Sequence, residues 1–288
     1  MIKSSELILN PDGSVYHLNL KPEHIAHDII FVGDQNRVEK ITRNFEKIEF
    51  STQKREFKTQ TGIFKGKRIT VMSTGIGPDN IDIVMNELDA LVNIDLETKL
   101  PKENLTTLNI IRIGTSGSLQ ADIPCDSFVL NTYGLGVDNM LRSYKVDEIT
   151  NKELEESFIK HTNWDAKKGR PYAVECSKKL EKIIESEQMF KGITATAGGF
   201  YGPQGRVLRL QIQDEELNSK MDNFEFEGNR ITNLEMETAA IYGLGALLGH
   251  ECLSLNAIIA NRANGTFSSD PYKAVDALID YVLDKLSL

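Results

Sequence analysis

The chain has 288 residues, of which 40% are hydrophobic and 26% are charged, so an intrinsically disordered protein is excluded. Its net charge of −9 argues against a nucleic-acid-binding protein, because such proteins carry a basic face. A small anionic substrate is compatible with this charge, since a few local arginines can outweigh a distant acidic surface.

The sequence gives no sign of export, membrane insertion or a metal centre. The three cysteines, Cys125, Cys176 and Cys252, are far apart and form no CxxC pair. No apolar segment has the length of a membrane span or the pattern of a signal peptide. His24 and His27 are three residues apart, but no cluster of Cys, Asp or Glu accompanies them. We therefore expect a protein of the reducing cytoplasm that contacts no membrane and binds no metal.

One pattern recurs along the first half of the chain. A short apolar run rich in Ile and Val leads into a glycine-containing turn, and a helical pattern often follows. The three runs are DIIFVGD at 28–34, RITVMSTGIG at 68–77 and LNIIRIGTSGS at 108–118. Short runs of this composition predict buried strands, each ending at its glycine turn.

The second half continues the alternation of strands and helices. Residues 233–250 predict a helix of small and apolar residues, 251–262 a strand, and 273–286 an amphipathic closing helix. The strongly charged segment 139–190 predicts helices and loops that cover the sheet. Together these elements predict a single α/β domain over 1–288, with a mainly parallel sheet and helices on both faces.

Arginines lie close to two of the glycine turns. Ligands of open α/β sheets bind beyond the carboxyl ends of the strands, where glycine lets backbone N–H groups approach an anion. Arg112 lies at the end of a buried run, and an unpaired charge there costs on the order of several kcal/mol. It therefore needs a carboxylate partner or an anionic ligand. Arg37 follows its own glycine turn, which favours one anion shared by both arginines, and the guanidinium fork suits phosphate.

Two acidic residues, Glu235 and Glu237, open the predicted helix at 233–250. Stabilisation of the helix dipole by acids in the first turn is a sufficient explanation for one of them. Two carboxylates around Met236, facing glycine turns, could also bind sugar hydroxyls, with the methionine packed against the ring.

The segment FYGPQGR, residues 200–206, combines three groups that suit a planar heterocycle. Phe200 offers an aromatic face, Gln204 an amide and Arg206 a cation. A surface loop shaped by glycine and proline is the alternative interpretation of the same residues.

Taken together, these segments resemble the nucleoside phosphorylase superfamily, and within it the uridine phosphorylases. The resemblance rests on VYHLNL, VGDQNRVEKI, KREF, STGIG, RIGTSGSLQ, FYGPQGR, NLEMETAAIYGLG and ANR, in that order and spacing. It implies a three-layer α/β/α sandwich with a mixed, distorted central sheet. The implied reaction is reversible phosphorolysis, in which uridine and phosphate give uracil and ribose 1-phosphate.

The resemblance also implies which residues bind each part of the substrates. The phosphate-binding residues would be Gly33, Arg37, Arg112 and Thr115, with Arg55 reaching the same phosphate from a neighbouring subunit. The ribose-binding residues would be Met236 and Glu237, with His17 from the neighbouring subunit. The base-binding residues would be Phe200, Gln204 and Arg206, supported by Arg262.

The implied mechanism needs neither a metal nor an organic cofactor. The arginines position phosphate under the anomeric carbon, and Glu237 anchors the ribose hydroxyls. As the glycosidic bond stretches, negative charge moves onto uracil, where Arg206 stabilises it. We therefore expect Arg112, Glu237 and Arg206 to be catalytic. The cross-subunit roles of His17 and Arg55 imply a homo-oligomer with a dimer as the minimal unit, and a hexamer is left open.

The sequence departs from the family pattern at several places. Gln35 replaces the proline of the usual GDPxR loop, and FYGPQGR stands where FYPGQER is common. Residues 93–109 are longer than the usual connection, and 133–175 resemble the family poorly.

Three alternatives stay open at this point. A purine nucleoside phosphorylase is disfavoured because Asn261 stands where those relatives carry an aspartate that protonates the purine. A nucleosidase, which uses water, does not need the full set of Arg37, Arg55 and Arg112. A non-catalytic nucleoside sensor would keep the fold without the reaction.

Overall fold

The computed structural model describes residues 2–287, which form a mixed α/β structure. The strands are β1 (Asp28–Val32), β2 (Lys47–Lys54), β3 (Phe57–Phe64), β4 (Lys67–Ser73), β5 (Ile94–Asp95), β6 (Leu100–Pro101), β7 (Asn109–Ser118), β8 (Phe128–Gly136), β9 (Tyr172–Glu175), β10 (Phe190–Thr196), β11 (Glu225–Phe226), β12 (Asn229–Glu235), β13 (Glu251–Asn261) and β14 (Thr266–Phe267). The α-helices are α1 (Gln35–Thr42), α2 (Pro78–Asn93), α3 (Lys152–Thr162), α4 (Lys178–Ile184), α5 (Leu217–Asp222), α6 (Thr238–Leu248) and α7 (Pro271–Leu286). In the described part of the chain, none of these helices is both long and apolar enough to cross a membrane.

Twelve strands form one central mixed sheet. Its order is β11-β12-β10-β8-β13-β7-β1-β4-β3-β2, with β9 beside β8 and β14 beside β13. Strand β12 also pairs antiparallel with β7, which closes β7, β13, β8, β10 and β12 into a ring. Helices pack against both faces, and this gives the three-layer arrangement that the sequence resemblance implied.

The central strands are held by burial along their whole length. All five residues of β1 are buried, and β1 lies between β4 and β7, parallel to both. Such double-sided burial explains why the strand is a continuous apolar run instead of an alternating one. The main hydrophobic core unites this part of the sheet with α2, α6 and α7.

Several predicted elements differ from the structure. The turn expected at 114–117 is not a turn, because β7 continues through both glycines to Ser118. The helix expected over 233–250 starts only at Thr238, since residues 233–235 complete β12. The segment 139–190 also contains a strand, β9, that pairs antiparallel with β8.

The expectation of a mainly parallel sheet is also wrong. Strands β2, β3 and β4 form an antiparallel meander at one edge. Of the twelve strand-to-strand pairings of the described sheet, seven are antiparallel and five are parallel. Apolar runs alone do not report strand direction, because direction is set by the connections between the strands.

The long connection at 93–109 forms a small hairpin, β5–β6, outside the central sheet. Its Lys99 accepts a hydrogen bond from the Ile2 backbone N–H at 2.9 Å and donates through Nζ to Ser4 Oγ at 3.0 Å. The extra residues therefore pack against the N-terminal segment of the same chain.

Candidate active site

A cavity of about 930 Å³ lies where β1, β4 and β12 end, beside residues 112–117 of β7. Of the twelve predicted site residues, nine line it, namely Gly33, Arg37, Arg112, Thr115, Phe200, Gln204, Arg206, Met236 and Glu237. Residues expected to bind phosphate, ribose and base are thus brought to one cavity. The remaining three, His17, Arg55 and Arg262, lie outside its lining.

Arg112 is buried and forms an internal ion pair. Its Nη2 donates to Glu237 Oε2 at 2.5 Å, and its Nη1 donates to Asn256 Oδ1 at 3.1 Å. Burial alone would lower the pKa of Arg112, but the carboxylates of Glu237 and Glu235 raise it above its ordinary value. Glu237 is held on its other side by the Gly77 backbone N–H, which donates to Oε1 at 2.9 Å. Of the two partners that the sequence allowed for Arg112, the structure therefore shows the carboxylate.

Glu235 and Glu237 have different surroundings, although both precede α6. Glu235 Oε2 accepts from the backbone N–H groups of Glu237 and Thr238 at 2.9 and 2.8 Å, and its Oε1 accepts from Thr196 Oγ1 at 2.5 Å. It is therefore the carboxylate that satisfies the free N–H groups at the start of α6. Stabilisation of the helix terminus therefore explains Glu235. Glu237 instead pairs with Arg112 and lines the cavity.

Arg37 is the second guanidinium at this end of the cavity. Its Nη1 donates to Ile113 O at 3.2 Å, and no carboxylate of residues 2–287 forms an ion pair with it. Burial and the nearby charge of Arg112 lower the pKa of Arg37. Arg37 therefore has no ion-pair partner in the described chain, although the charge of Asp34 acts on it, and an anionic ligand could pair with its guanidinium.

Gly114 leaves the space that the Arg112 side chain occupies. A Cβ on Gly114 would lie 1.9 Å from Arg112 Nη1 and 2.5 Å from Asn256 Oδ1. The backbone angles of this strand position suit any residue, so the reason for glycine here is room for the guanidinium.

Replacing Gly114 with alanine is expected to lower kcat/KM for the reaction of this site by about 10- to 100-fold, because a displacement of about 1 Å is enough to misplace Arg112. Steady-state kinetics on the purified variant measures this loss. Gly198→Ala is the matched control, since a Cβ there meets Asp138 Cβ at an ordinary 3.5 Å. Equal activity of both variants would show that the guanidinium position is unimportant.

The opposite end of the cavity is built from the loop 200–206. Arg206 Nη1 donates to Phe200 O at 2.7 Å and to Gln204 Oε1 at 2.5 Å, and its guanidinium lies 3.8 Å from the centre of the Phe200 ring. Gln204 is buried, while Phe200 is half exposed. The aromatic face, amide and cation expected from the sequence therefore contact one another.

Arg262 lies behind this loop and supports it. Its Nη2 donates to Gln204 O at 3.0 Å, and its Nη1 is buried without a hydrogen-bond partner in the described chain. Burial and the charge of Arg206 lower the pKa of Arg262 to about 10, which leaves it cationic at neutral pH. Arg206 thus lines this end of the cavity with Arg262 behind it, and neither guanidinium forms an ion pair with an Asp or Glu of the described residues.

A family model described as the phosphorylase superfamily matches residues 28–280. The chain belongs to that superfamily. A uridine phosphorylase of Thermococcus kodakarensis is 27% identical over 265 residues, which are 92% of this chain and 83% of the relative. A DeoD-type purine nucleoside phosphorylase of Alkaliphilus metalliredigens is 31% identical over 241 residues, covering 83% of this chain and 84% of the relative.

Among solved structures, one of a Trypanosoma brucei nucleoside phosphorylase, described as showing uridine phosphorylase activity, matches with a TM-score of 0.86. It is 28% identical, and the match covers 97% of this chain and 99% of that chain. This phosphorylase is therefore a pentosyltransferase that acts on a nucleoside and phosphate. The relatives include both uridine and purine enzymes, so its base must be inferred from the cavity itself.

His17 and Arg55 lie outside the cavity lining of the phosphorylase, His17 half-buried and Arg55 exposed. His17 Nδ1 lies 2.6 Å from Glu87 Oε1. Arg55 is exposed at the tip of the β2–β3 hairpin, with a left-handed φ of 55°. The preceding Lys54 donates through Nζ to the carbonyl of Tyr16, which joins the two segments.

Some cavity residues of the phosphorylase were not anticipated from the sequence, in contrast to Ile76, which lies in the predicted glycine turn at 68–77. Phe267 lines the cavity and is 80% exposed. Ile259 lines it because the register of β13 against β7 shifts between Ile258 and Ala260. A β-bulge and a two-residue strand leave no periodic pattern, so only the folded chain reveals these positions.

Proposed function

We propose that this phosphorylase catalyses the reversible phosphorolysis of uridine to uracil and ribose 1-phosphate. The observation that carries the proposal is the base end of the cavity, where Arg206 and Gln204 line the wall, Arg262 holds Gln204 from behind, and neither guanidinium has a carboxylate partner among the described residues. Uracil has two carbonyl groups flanking an N–H, and a buried amide beside the Arg206 guanidinium offers matching donors and an acceptor. The charge of Arg206 would stabilise the negative charge that the leaving base acquires.

The surroundings of Asn261 argue against a purine. Its Nδ2 donates to the carbonyls of Gln120 and Ile123, both at 2.8 Å, and its Oδ1 accepts from the Asn264 backbone N–H at 2.9 Å. All of its polar groups are thus used within the chain. An asparagine held this way offers no proton to a purine nitrogen, whereas uracil needs only charge stabilisation as it leaves.

The other end of the cavity suits phosphate. The anion below the anomeric carbon would be held by the guanidiniums of Arg37 and Arg112, the Thr115 hydroxyl and the Gly33 backbone. A phosphate oxygen then forms a bond to C1′ as the C1′–N1 bond breaks, and the electron pair of that bond goes to uracil. Positioning two reactants in one cavity supplies much of the rate acceleration.

Glu237 and Met236 also line the cavity, and we assign them to the ribose. The Glu237 carboxylate can accept hydrogen bonds from ribose hydroxyls while Arg112 and Gly77 hold it in place. Because these contacts exist before the substrate arrives, little reorganisation is needed when the sugar binds.

A second copy of the chain would complete the site. Arg55 and His17 lie outside the cavity lining, and we assign them to the phosphate and the ribose of the partner's cavity. A dimer is then the smallest working unit. We place the reaction in pyrimidine salvage, in the reducing cytoplasm that the three free cysteines favour.

Replacing Arg55 with glycine separates a structural role from a functional one. Glycine adopts a positive φ without strain, so the free energy of unfolding should rise by up to about 1 kcal/mol. The KM for phosphate should nevertheless rise by about 10- to 100-fold, since a charge-assisted hydrogen bond to the anion is lost. Denaturant unfolding and phosphate saturation curves measure the two effects.

Lys65→Gly is the matched control, because Lys65 also has a positive φ, 47°, in the next hairpin along the chain. It should gain similar stability and keep its KM for phosphate. A stabilised Arg55→Gly enzyme with unchanged phosphate KM would remove Arg55 from the site.

The proposed function is tested by measuring base release with and without phosphate. Purified protein is expected to release uracil from uridine only when phosphate is added. Release without phosphate would identify a nucleosidase, and release from inosine but not uridine a purine phosphorylase. No release from any nucleoside would indicate a sensor.

A further inference from the structure

The side chain of Gln35 joins the phosphate loop of a subunit to the hairpin that carries Arg55. Its Nε2 donates to the backbone carbonyl of Arg55 at 2.9 Å, and its Oε1 accepts from Gln53 Nε2 at 2.8 Å. Gln35 is the first residue of α1, between Gly33 and Arg37. One amide thus spans two elements that are twenty residues apart.

Helix α1 does not require this side chain. Its first turn is already capped by Asp34, whose carboxylate accepts from the Asn36 backbone N–H at 2.9 Å. A proline would also suit the first position of a helix. It could not, however, donate to the Arg55 carbonyl or accept from Gln53. The bridge is therefore a feature of this chain's own residues.

The turn that Gln35 holds is strained. Arg55 occupies the left-handed region, which costs a non-glycine residue about 1–2 kcal/mol, so an unrestrained tip would readily populate other conformations. A hydrogen bond to its carbonyl restricts the peptide plane next to the Cα from which the side chain extends. This restriction sets the direction in which the guanidinium leaves the hairpin.

We propose that Gln35 is a positioning residue that aims Arg55 at the phosphate of the partner subunit, and so sets the phosphate affinity of the neighbouring site. The inference rests on the proposed function. It predicts that a change within one subunit appears as a defect in the cavity of the other.

Gln35→Ala is expected to raise the KM for phosphate by about three- to tenfold, the range for one or two solvent-accessible amide hydrogen bonds, with the KM for uridine unchanged. Gln35→Glu is expected to have a similar effect, because a carboxylate still accepts from Gln53 but cannot donate to the Arg55 carbonyl. Gln53→Ala removes only the supporting bond and should change the KM less. An Arg55→Gly background should abolish the effect of Gln35→Ala.

A subunit-mixing experiment decides between action within a subunit and action across the interface. One set of subunits is silenced by Arg112→Met with Glu237→Gln, which removes both members of the buried ion pair. These silenced subunits are co-expressed in large excess over the active subunits, so that each active subunit is paired with a silenced partner. In the first mixture, Gln35→Ala subunits supply the active cavities and the silenced partners keep Gln35. In the second, wild-type subunits supply the active cavities and the silenced partners also carry Gln35→Ala.

The proposal expects a wild-type phosphate KM in the first mixture and a raised KM in the second. The reverse pattern would show that Gln35 acts only on its own loop, and unchanged values in both would show that it acts on neither; each result overturns the proposal. Base release that needs no phosphate in the wild-type enzyme would instead overturn the proposed function, and this inference with it.

Discussion

Replacing Arg112 with methionine is expected to lower kcat/KM for phosphorolysis by about three orders of magnitude. In the proposed function the guanidinium would hold the phosphate, and it anchors Glu237, so two interactions of the transition state would be lost together. Initial rates of uracil release at saturating uridine, over a range of phosphate concentrations, measure the loss.

The same substitution should also weaken the fold, and the two effects can be separated. Without Arg112, the buried carboxylates of Glu235 and Glu237 lack their cation, which costs on the order of 3–5 kcal/mol. Burial already raises the pKa of Glu237, and only Arg112 and the Gly77 N–H favour its ionised form. Stability of the single variant should therefore improve as the pH falls and Glu237 takes up a proton.

The double variant Arg112→Met with Glu237→Gln is the control for folding. It removes the unpaired charge of Glu237 while keeping side-chain volume, so much of the lost stability should return. Its activity should stay low, because neither the phosphate nor the ribose contact is restored. A stable double variant with wild-type turnover would show that the reaction takes place elsewhere.

Replacing Arg206 with alanine is expected to lower kcat for uridine by about 100- to 1000-fold, the usual effect of losing a donor that stabilises developing negative charge. Arg206 also holds Gln204 and stacks on Phe200, so the arrangement of the base end is lost with the charge. The KM for phosphate should change little, because Arg206 lies at the opposite end of the cavity from Arg37.

The electronic role of Arg206 can be tested with a second substrate. A nucleoside with a more acidic base, such as 5-fluorouridine, depends less on the enzyme to stabilise its leaving group. Arg206→Ala should therefore impair 5-fluorouridine cleavage less than uridine cleavage. Arg209→Ala, in the exposed continuation of the same loop, is the matched control and should leave both rates near the wild-type values. An equal loss for both substrates would assign Arg206 to binding alone.

The meeting of Arg37 and Arg112 could be anticipated from the sequence, and the structure shows why. Arg37 follows the apolar run that forms β1, and Arg112 lies at the end of the apolar run in β7. These two strands are parallel neighbours, and Phe31 of β1 lies opposite Arg112. Strand periodicity and the position of a charge along a buried run are local properties, so the sequence carries them directly.

The partner of Arg112 could not be chosen in the same way. A buried guanidinium can be neutralised by a carboxylate or by an anionic ligand, and the sequence does not distinguish the two. Glu237, the observed partner, is 125 residues away along the chain. The division of roles between Glu235 and Glu237 was likewise undecided, because it depends on where β12 ends and α6 begins. That boundary was misplaced, since the apolar and small residues of 233–250 suit both a buried strand and a buried helix.

By itself, the sequence of this phosphorylase determined the family, the mixed α/β architecture and nine of the residues that line the cavity. Only the tertiary structure decided that Glu237 pairs with Arg112, that Arg37 has no ion-pair partner in the described chain and that Gln35 reaches the Arg55 turn. Motifs and periodicity reflect interactions between residues close in the chain. Charge pairing and hydrogen bonding instead depend on distances in space, which exist only once the strands have taken their order in the sheet.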